Sequence, residues 1–197
     1  MLDIIPYDAL RVGVPLSGGP DSAILYYMLM KDNIAESRKA RIIPICAPKI
    51  DGADYYANLV NQYVCNKLGV EENKILYIGN PWQEHNVIVR NAVVSAFYFG
   101  IIECVVLGDN VAPPGGAEFP GMMPIRERVD SPNVFQPFFD MTKDQIIQLY
   151  YDEEIEELLT LTHTCTEQNR GHCGQCWQCT ERKWAFSQLD RTDPLVS

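Results

Sequence analysis

Arg11-Val12-Gly13-Val14-Pro15-Leu16-Ser17-Gly18-Gly19-Pro20-Asp21-Ser22-Ala23-Ile24-Leu25-Tyr26-Tyr27-Met28-Leu29-Met30 is the stretch on which the fold turns. Its first six residues form a short apolar run with the character of a buried strand. Its last eight have the density of apolar residues expected of a buried helix that starts near Ser22. Between them lie two glycines, a proline, an aspartate and two serines. Glycines let a chain turn sharply and approach an anion closely. A following helix N-terminus points its free amides and positive dipole end at that anion. Ser17 and Ser22 add hydroxyl donors. Asp21 is poorly suited to touching phosphate directly and well suited to holding Mg²⁺ that in turn holds phosphate oxygens. The alternative is a plain strand–turn–helix junction, which would not need the serines and the aspartate. No Gly-Lys-Ser/Thr follows, so this is not the phosphate loop of kinases and GTPases.

Outward from this loop, strands and helices alternate, the pattern of a mainly parallel sheet covered on both faces. Strands are expected at 42–47, 74–78, 103–107 and 133–138, which with 11–16 makes five. Helices are expected at 54–68, closed by Gly69, at 87–99, stopping at Gly100, and at 143–151. Thr142-Lys143-Asp144-Gln145 reads as a capping box opening the last of these. The strand at 103–107 delivers Gly108-Asp109-Asn110 to its C-terminal end. Residues 111–129 are rich in Pro and Gly without periodicity, as in a functional or mobile loop.

The composition narrows the function classes. With 197 residues the chain suits one compact domain, and 47% apolar with 21% charged residues is ordinary for a globular protein. Sixteen Lys and Arg against 26 Asp and Glu give a net charge of −10, so bulk nucleic acid is disfavoured and a small substrate favoured. No apolar run is long enough to span a bilayer. The start, Met1-Leu2-Asp3-Ile4-Ile5-Pro6, lacks the pattern of an export leader, and a cytoplasmic location is expected.

Four of the seven cysteines fall within fifteen residues as Cys165-x7-Cys173-x2-Cys176-x2-Cys179. Each Cys-x-x-Cys places two thiolates on one knuckle, and four thiolates complete the tetrahedron that Zn²⁺ prefers. Such a site leaves no open position, so the metal would be structural; an iron–sulfur cluster also suits four cysteines. His163 and His172 flank the set as surface or supporting residues. Cys104 reads as a small buried hydrophobe, and Cys46 and Cys65 carry no partner signal. Residues 1–160 are expected to form the nucleotide-binding part. Residues 161–197 would be a metal segment with a closing helix, packed on the same domain.

Ser17-Gly18-Gly19-Pro20-Asp21-Ser22 resembles the Ser-Gly-Gly-x-Asp-Ser signature of the PP-loop ATP pyrophosphatases, which have a Rossmann-like sheet and cleave ATP between its α and β phosphates. Val89-Arg90-Asn91, the Pro137 to Lys143 spacing and the run from Cys165 to Glu181-Arg182 add a likeness to one branch, the 7-cyano-7-deazaguanine synthases of queuosine biosynthesis. The resemblance implies adenylation of a small deazapurine carboxylate by ATP with Mg²⁺, then reaction with ammonia, in a homodimer. It implies that Leu16, Ser17, Gly18, Gly19, Asp21, Ser22 and Gly108 surround the nucleotide. Asp21, Lys143 and Arg90 would be the catalytic set, and the four cysteines would hold zinc. From the residues alone, Lys143 and Arg90 fit solvated surface cations equally well.

The chain departs from that branch after its fourth strand. An acidic Tyr-Pro-Asp-Cys-Arg-like segment and an extra helix are expected there; this chain has Gly108 to Arg126, with Phe119-Pro120 and Arg126 as the nearest counterparts. A tRNA sulfur transferase is the second enzymatic alternative, disfavoured by the acidic balance. A sensor of adenine nucleotides, or a zinc module binding a protein, is the non-enzymatic one.

Overall fold

Val12 and Val14 in strand β1 (Arg11–Pro15) are fully buried, because the strand lies in the middle of a parallel sheet. On one side it pairs with β2 (Arg41–Cys46), Val12 opposite Ile42 and Val14 opposite Pro44. On the other it pairs with β4 (Cys104–Val106), Val12 opposite Cys104. Two-residue edge strands complete the sheet, β3 (Leu76–Tyr77) beside β2 and β5 (Val134–Phe135) beside β4. The order is β3-β2-β1-β4-β5, five strands, all neighbours parallel. These coordinates are a computed structural model that describes residues 9–79, 82, 85–114 and 128–195.

Alternation along the strands sorts the core into two layers. Val12, Val14, Leu16, Ile42, Cys46, Cys104 and Val106 face α1 (Pro20–Ala35), α2 (Ala53–Leu68), α4 (Lys143–Asp152) and α5 (Trp177–Gln188). Ile43, Ile45 and Val105 face α3 (His85–Tyr98), which buries Ala92 and Ala96 against them. Gly13 belongs to that second layer: a Cβ there would lie 2.8 Å from Ile102 Cδ1. The expected five-stranded, mainly parallel α/β sheet with helices on both faces is what forms.

Differences from expectation lie at element ends. The first helix begins at Pro20 and runs to Ala35. Its polar extension past Met30 is held in place, since Asp32 is buried and lies 3.6 Å from the Arg38 guanidinium. Both edge strands are shorter than the apolar runs that announced them, because each has a pairing partner along only two residues. A 3-10 helix at Glu156–Leu161 was not expected; it buries Leu158 and Leu159. The capping box at Thr142 and Gln145 and the left-handed Gly69 closing α2 are both found. Of the long loop, 111–114 and 128–129 are irregular, and 115–127 lie outside the described residues. Among the described residues, no helix is long and apolar enough to cross a membrane.

Candidate functional site

The strand order reverses its direction of growth between β1 and β4. That is the switch point where open α/β sheets bind ligands beyond their strand ends. Leu16 leaves β1 still bonded to β2, its amide 2.8 Å from the Ile45 carbonyl, and the glycine loop follows. Gly18 has φ +76°, and a Cβ on it would come within 2.8 Å of the Tyr56 carbonyl carbon and 2.9 Å of the Ala57 nitrogen. Glycine is therefore required twice over, by the backbone angle and by the backbone of α2. Gly19 caps α1. Pro20 carries no N–H, and Ala23 donates back to the Gly19 carbonyl at 3.0 Å. The amides of Asp21 and Ser22 are thus the helix-end donors left without an intrahelical acceptor. The Ser17 and Ser22 hydroxyls lie 3.3 Å apart, and Ser22 donates to the Gly19 carbonyl at 3.0 Å. Gly108, at the end of β4, packs against Asp21; a Cβ there would be 3.4 Å from the Asp21 carbonyl carbon.

Lys143 occupies the first turn of α4 and is 4% exposed, so it is not a solvated surface cation. Its ammonium pairs with Asp21 Oδ2 and lies 3.5 Å from Glu181 Oε2 on α5, itself buried. The other Asp21 oxygen, Oδ1, is buried without a hydrogen-bond partner. A carboxylate with one oxygen engaged and one buried and unengaged fits a Mg²⁺ ligand beside phosphate. Beneath it, Tyr150 donates to the Pro20 carbonyl at 2.5 Å. Burial, reinforced by the Asp21 charge, pushes the Tyr150 hydroxyl well above its usual range, so it stays protonated as a fixed donor.

The thiols of Cys165, Cys173, Cys176 and Cys179 all lie within 4.8 Å of one another. A tetrahedron with zinc–sulfur bonds of about 2.3 Å has edges of about 3.8 Å, so the set fits one ion. Cys173 is the thiolate-forming member. Amides of Gln175 at 3.4 Å and Cys176 at 3.2 Å donate to its sulfur and bring its pKa down to about 6. Burial pushes Cys165 and Cys179 the other way. A cation held at the centre would offset that cost. His172 Nδ1 stands 3.6 Å from Cys179 Sγ, and burial lowers its pKa to about 4.

The cysteine segment grips the glycine loop directly. The His163 amide donates to the Gly18 carbonyl at 2.8 Å, and its ring stacks on Tyr56 with centroids 4.4 Å apart and planes at 6°. Arg182, fully buried on α5, holds the chain end through Asp193 at 2.7 and 3.0 Å and reaches Thr162 at 2.8 Å. Arg90 is exposed on α3, the helix of the opposite sheet layer, and among the described residues it has no bond to the loop. The places of Tyr56 and Tyr150 at this site were not read from the sequence, and Glu181-Arg182 entered only as part of the resemblance, without their buried roles. The available signal was Glu181 and Arg182, two and three residues after Cys179, in the first half of a helix whose other buried residues are Cys179, Ala185 and Phe186.

Residues 122–190 match the family model described as "Queuosine biosynthesis protein QueC". That stretch holds Lys143, the four cysteines, Glu181 and Arg182, and it excludes the glycine loop. A 7-cyano-7-deazaguanine synthase of Methanobrevibacter smithii is 38% identical over 58 residues, 29% of this chain and 25% of the relative. Counterparts from Gloeobacter violaceus and Sulfurisphaera tokodaii are 34% identical over 65 residues and 36% over 61, covering 32% and 31% of this chain and 28% and 29% of theirs. The matched stretch thus spans between a quarter and a third of these relatives. Among solved structures, the U34-tRNA thiolase NcsA from Methanococcus maripaludis with its [4Fe-4S] cluster superposes with a TM-score of 0.54 at 16% identity, covering 98% of this chain and 69% of that one. NMN synthetase from Francisella tularensis gives 0.53 at 14%, covering 95% and 79%. At such identities the two structures establish the shared fold.

Proposed function

We propose, for a chain related to the PP-loop enzymes and to the queuosine-biosynthesis branch among them, that it is an ATP-dependent synthetase. Its substrate would be 7-carboxy-7-deazaguanine and its nitrogen source ammonia. The observation that carries this is the buried Lys143 ammonium held between Asp21 at the glycine loop and Glu181 on the helix that opens inside the cysteine knuckle. It joins the nucleotide motif to the QueC-like segment in one site.

In the first step a carboxylate oxygen of the substrate bonds to the α-phosphorus of ATP as the α–β bridge breaks, and pyrophosphate leaves. Ammonia adds to the activated carbon, AMP departs with that oxygen, and a proton is released to give the amide. A second ATP takes the amide oxygen in the same way. Loss of that oxygen with AMP, and of both amide protons, leaves the nitrile. Ser17, Gly18, Gly19 and Ser22 would bind the departing pyrophosphate through loop amides and hydroxyls, with Leu16 and Gly108 lining the nucleotide's approach. Asp21 would hold Mg²⁺, which supplies charge neutralisation on the phosphates. Lys143 would add fixed positive charge in a water-poor setting, where it is worth more than in bulk. Arg90 is a candidate for the substrate side by resemblance alone.

Cys165, Cys173, Cys176 and Cys179 would hold one zinc ion as a structural node, supported by their close mutual spacing. Residues 161–197 would then brace a nucleotide-binding part of residues 1–160. The resemblance also carries a homodimer, which sedimentation would check.

The test is mass spectrometry of products formed from ATP, Mg²⁺, ammonium and 7-carboxy-7-deazaguanine. The nitrile with AMP is expected. An amide with AMP would place the chain one step earlier. AMP with neither product would redirect the search to another acid, and no AMP at all would overturn the proposal.

A further inference from the structure

Resting on the adenylation chemistry proposed above, we infer that Asn110 is a further catalytic residue: its side-chain amide donates to an α-phosphoryl oxygen of the nucleotide as the adenylyl group is transferred. Asn110 stands beyond the end of β4, and the backbone fixes the face on which it lies. The amides of Val105, Leu107 and Val111 point one way, to the carbonyls of Asn133 at 2.9 Å, Phe135 at 2.8 Å and Met141 at 3.0 Å. The extended alternation of β4 therefore continues past Val106. Its odd members face the α3 layer. Val105 and Leu107 pack there, and Asp109 accepts from Gln136 Nε2 at 3.0 Å, two residues on from Val134 of the same layer. Its even members face the other way: Cys104 and Val106 lie in the core with α1, and Gly108 packs against Asp21. Asn110 is next in that series, on the side of the sheet that carries Asp21 and Lys143.

Nothing in the fold uses this side chain. Asn110 Nδ2 is buried without a hydrogen-bond partner, and among the described residues the amide makes no hydrogen bond at either end. An asparagine after a strand ordinarily bonds backbone close by in sequence, and this one does not. A buried donor left unpaired destabilises the empty protein, and the loss is recovered when an acceptor arrives. With both ends untied, the N–H can turn toward an anion without breaking a bond. Asp21 Oδ1 is the matching orphan, an acceptor without a donor. One group suits a cation and the other an anionic oxygen, and a phosphate that arrives with Mg²⁺ supplies both. The loop amides are proposed to take the pyrophosphate, which leaves the α-phosphate for a donor at the end of β4. In the transfer a carboxylate oxygen bonds to the α-phosphorus and the α–β bridge breaks. The Asn110 amide keeps its proton and stabilises the charge on the oxygens between.

The test is calorimetry of the full-length chain with AMP, which carries the α-phosphate alone, with pyrophosphate and with adenosine, each with Mg²⁺. Wild type is compared with Asn110→Ala and with Asn110→Asp, which keeps the shape and loses the N–H. AMP affinity should fall about tenfold or more in Asn110→Ala, the scale of one hydrogen bond to a charged group, while pyrophosphate and adenosine bind as before. AMP formation should lose about a hundredfold in kcat with little change in KM for the acid. The ligand-free Tm of Asn110→Ala should be unchanged or higher, because an unpaired donor is gone; a structural asparagine would lower it. Asn110→Asp should bind AMP more weakly still, and it decides the matter if the alanine variant does not fold. Unchanged AMP affinity, or equal weakening of all three ligands with a lower Tm, would overturn the inference. Weaker binding of the acid with AMP untouched would put the amide on the other reactant and overturn it too. A wild-type chain that binds neither AMP nor pyrophosphate would bring down the nucleotide reading and this inference together.

Discussion

The glycine loop and the cysteine knuckle organise their surroundings by opposite means. At the loop the ligand-facing groups are mostly backbone, placed by sheet order and by a Gly18 angle that no other residue adopts without strain. At the knuckle the groups are side chains, four thiols close enough together to share one cation. The loop should hold its shape when empty, whereas the knuckle is expected to need its metal. The two meet at the Gly18 carbonyl and around Lys143, where each region depends on the other.

The largest effect expected is on chemistry. Asp21→Asn keeps the shape of the loop and removes the charge proposed to hold Mg²⁺. AMP formation should fall by at least about a hundredfold, with little change in Tm, the scale on which removing a transition-state electrostatic group acts. Normal turnover in that variant would take the metal away from Asp21. Cys176→Ser, or a strong chelator, should act on the other side of the contrast. Structural zinc contributes about 10 kcal/mol or more of folding free energy in small sites, so the segment from Cys165 to α5 should lose protease resistance. Elemental analysis would show one zinc per wild-type chain and none in the variant. A variant that kept its metal and its melting temperature would refute the structural node, and a visible charge-transfer band would point to iron and sulfide instead.

Next in size is the loop's own geometry. Gly18→Ala must displace the α2 backbone, since the new Cβ would lie 2.9 Å from the Ala57 nitrogen. A loss of about 2 to 3 kcal/mol of stability is expected, from a strained angle combined with a backbone clash, and calorimetric unfolding would read it. Gly19→Ala, with 3.4 Å to its nearest neighbour, the Ser17 hydroxyl oxygen, and an ordinary extended backbone, is the control that should cost much less.

How legible these regions were follows from what each is made of. The glycine loop and the cysteines were legible because their residue types and spacings are themselves the chemistry. The parallel sheet was legible because buried strands are continuous apolar runs, as at Cys104, Val105 and Val106. Lys143 could not be resolved into surface or site from its position in a capping turn. Its burial is decided by Asp21 and Glu181, which lie 122 and 38 residues away in sequence, 143 − 21 and 181 − 143. Tyr56 falls within the helix expected at 54–68, an expectation that does not point to its place beside the glycine loop. The same ring backs Gly18 and stacks on His163, a long-range pairing without any local pattern. The 3-10 helix at Glu156–Leu161 escaped because six residues are too few for a period to declare itself.

The smallest effect concerns a second tie between the same two regions, on the outside of the molecule. Glu157, in the 3-10 helix that leads into the cysteine segment, accepts from Tyr63 on α2 and pairs with Lys67 at 3.0 Å. The Tyr63 hydroxyl first, then the Lys67 ammonium, hold its carboxyl down to about 2. A carboxylate with its folded pKa depressed stabilises the fold above its unfolded value of about 4.3, and that stability is lost as pH falls toward 2. Its side chain is 52% exposed, however, so solvent and salt screen the pair, and about 0.5 kcal/mol is the scale to expect. Glu157→Gln should therefore lower Tm by only a degree or two at neutral pH, and the difference should shrink near pH 3 or in molar salt. Lys143→Met, which takes a buried cation away from Asp21 and from the neighbourhood of Glu181, should cost about 3 kcal/mol and resist salt. Comparable losses from the two substitutions would mean that burial does not separate these charge clusters, and that the inner tie between loop and knuckle is no stronger than the outer one.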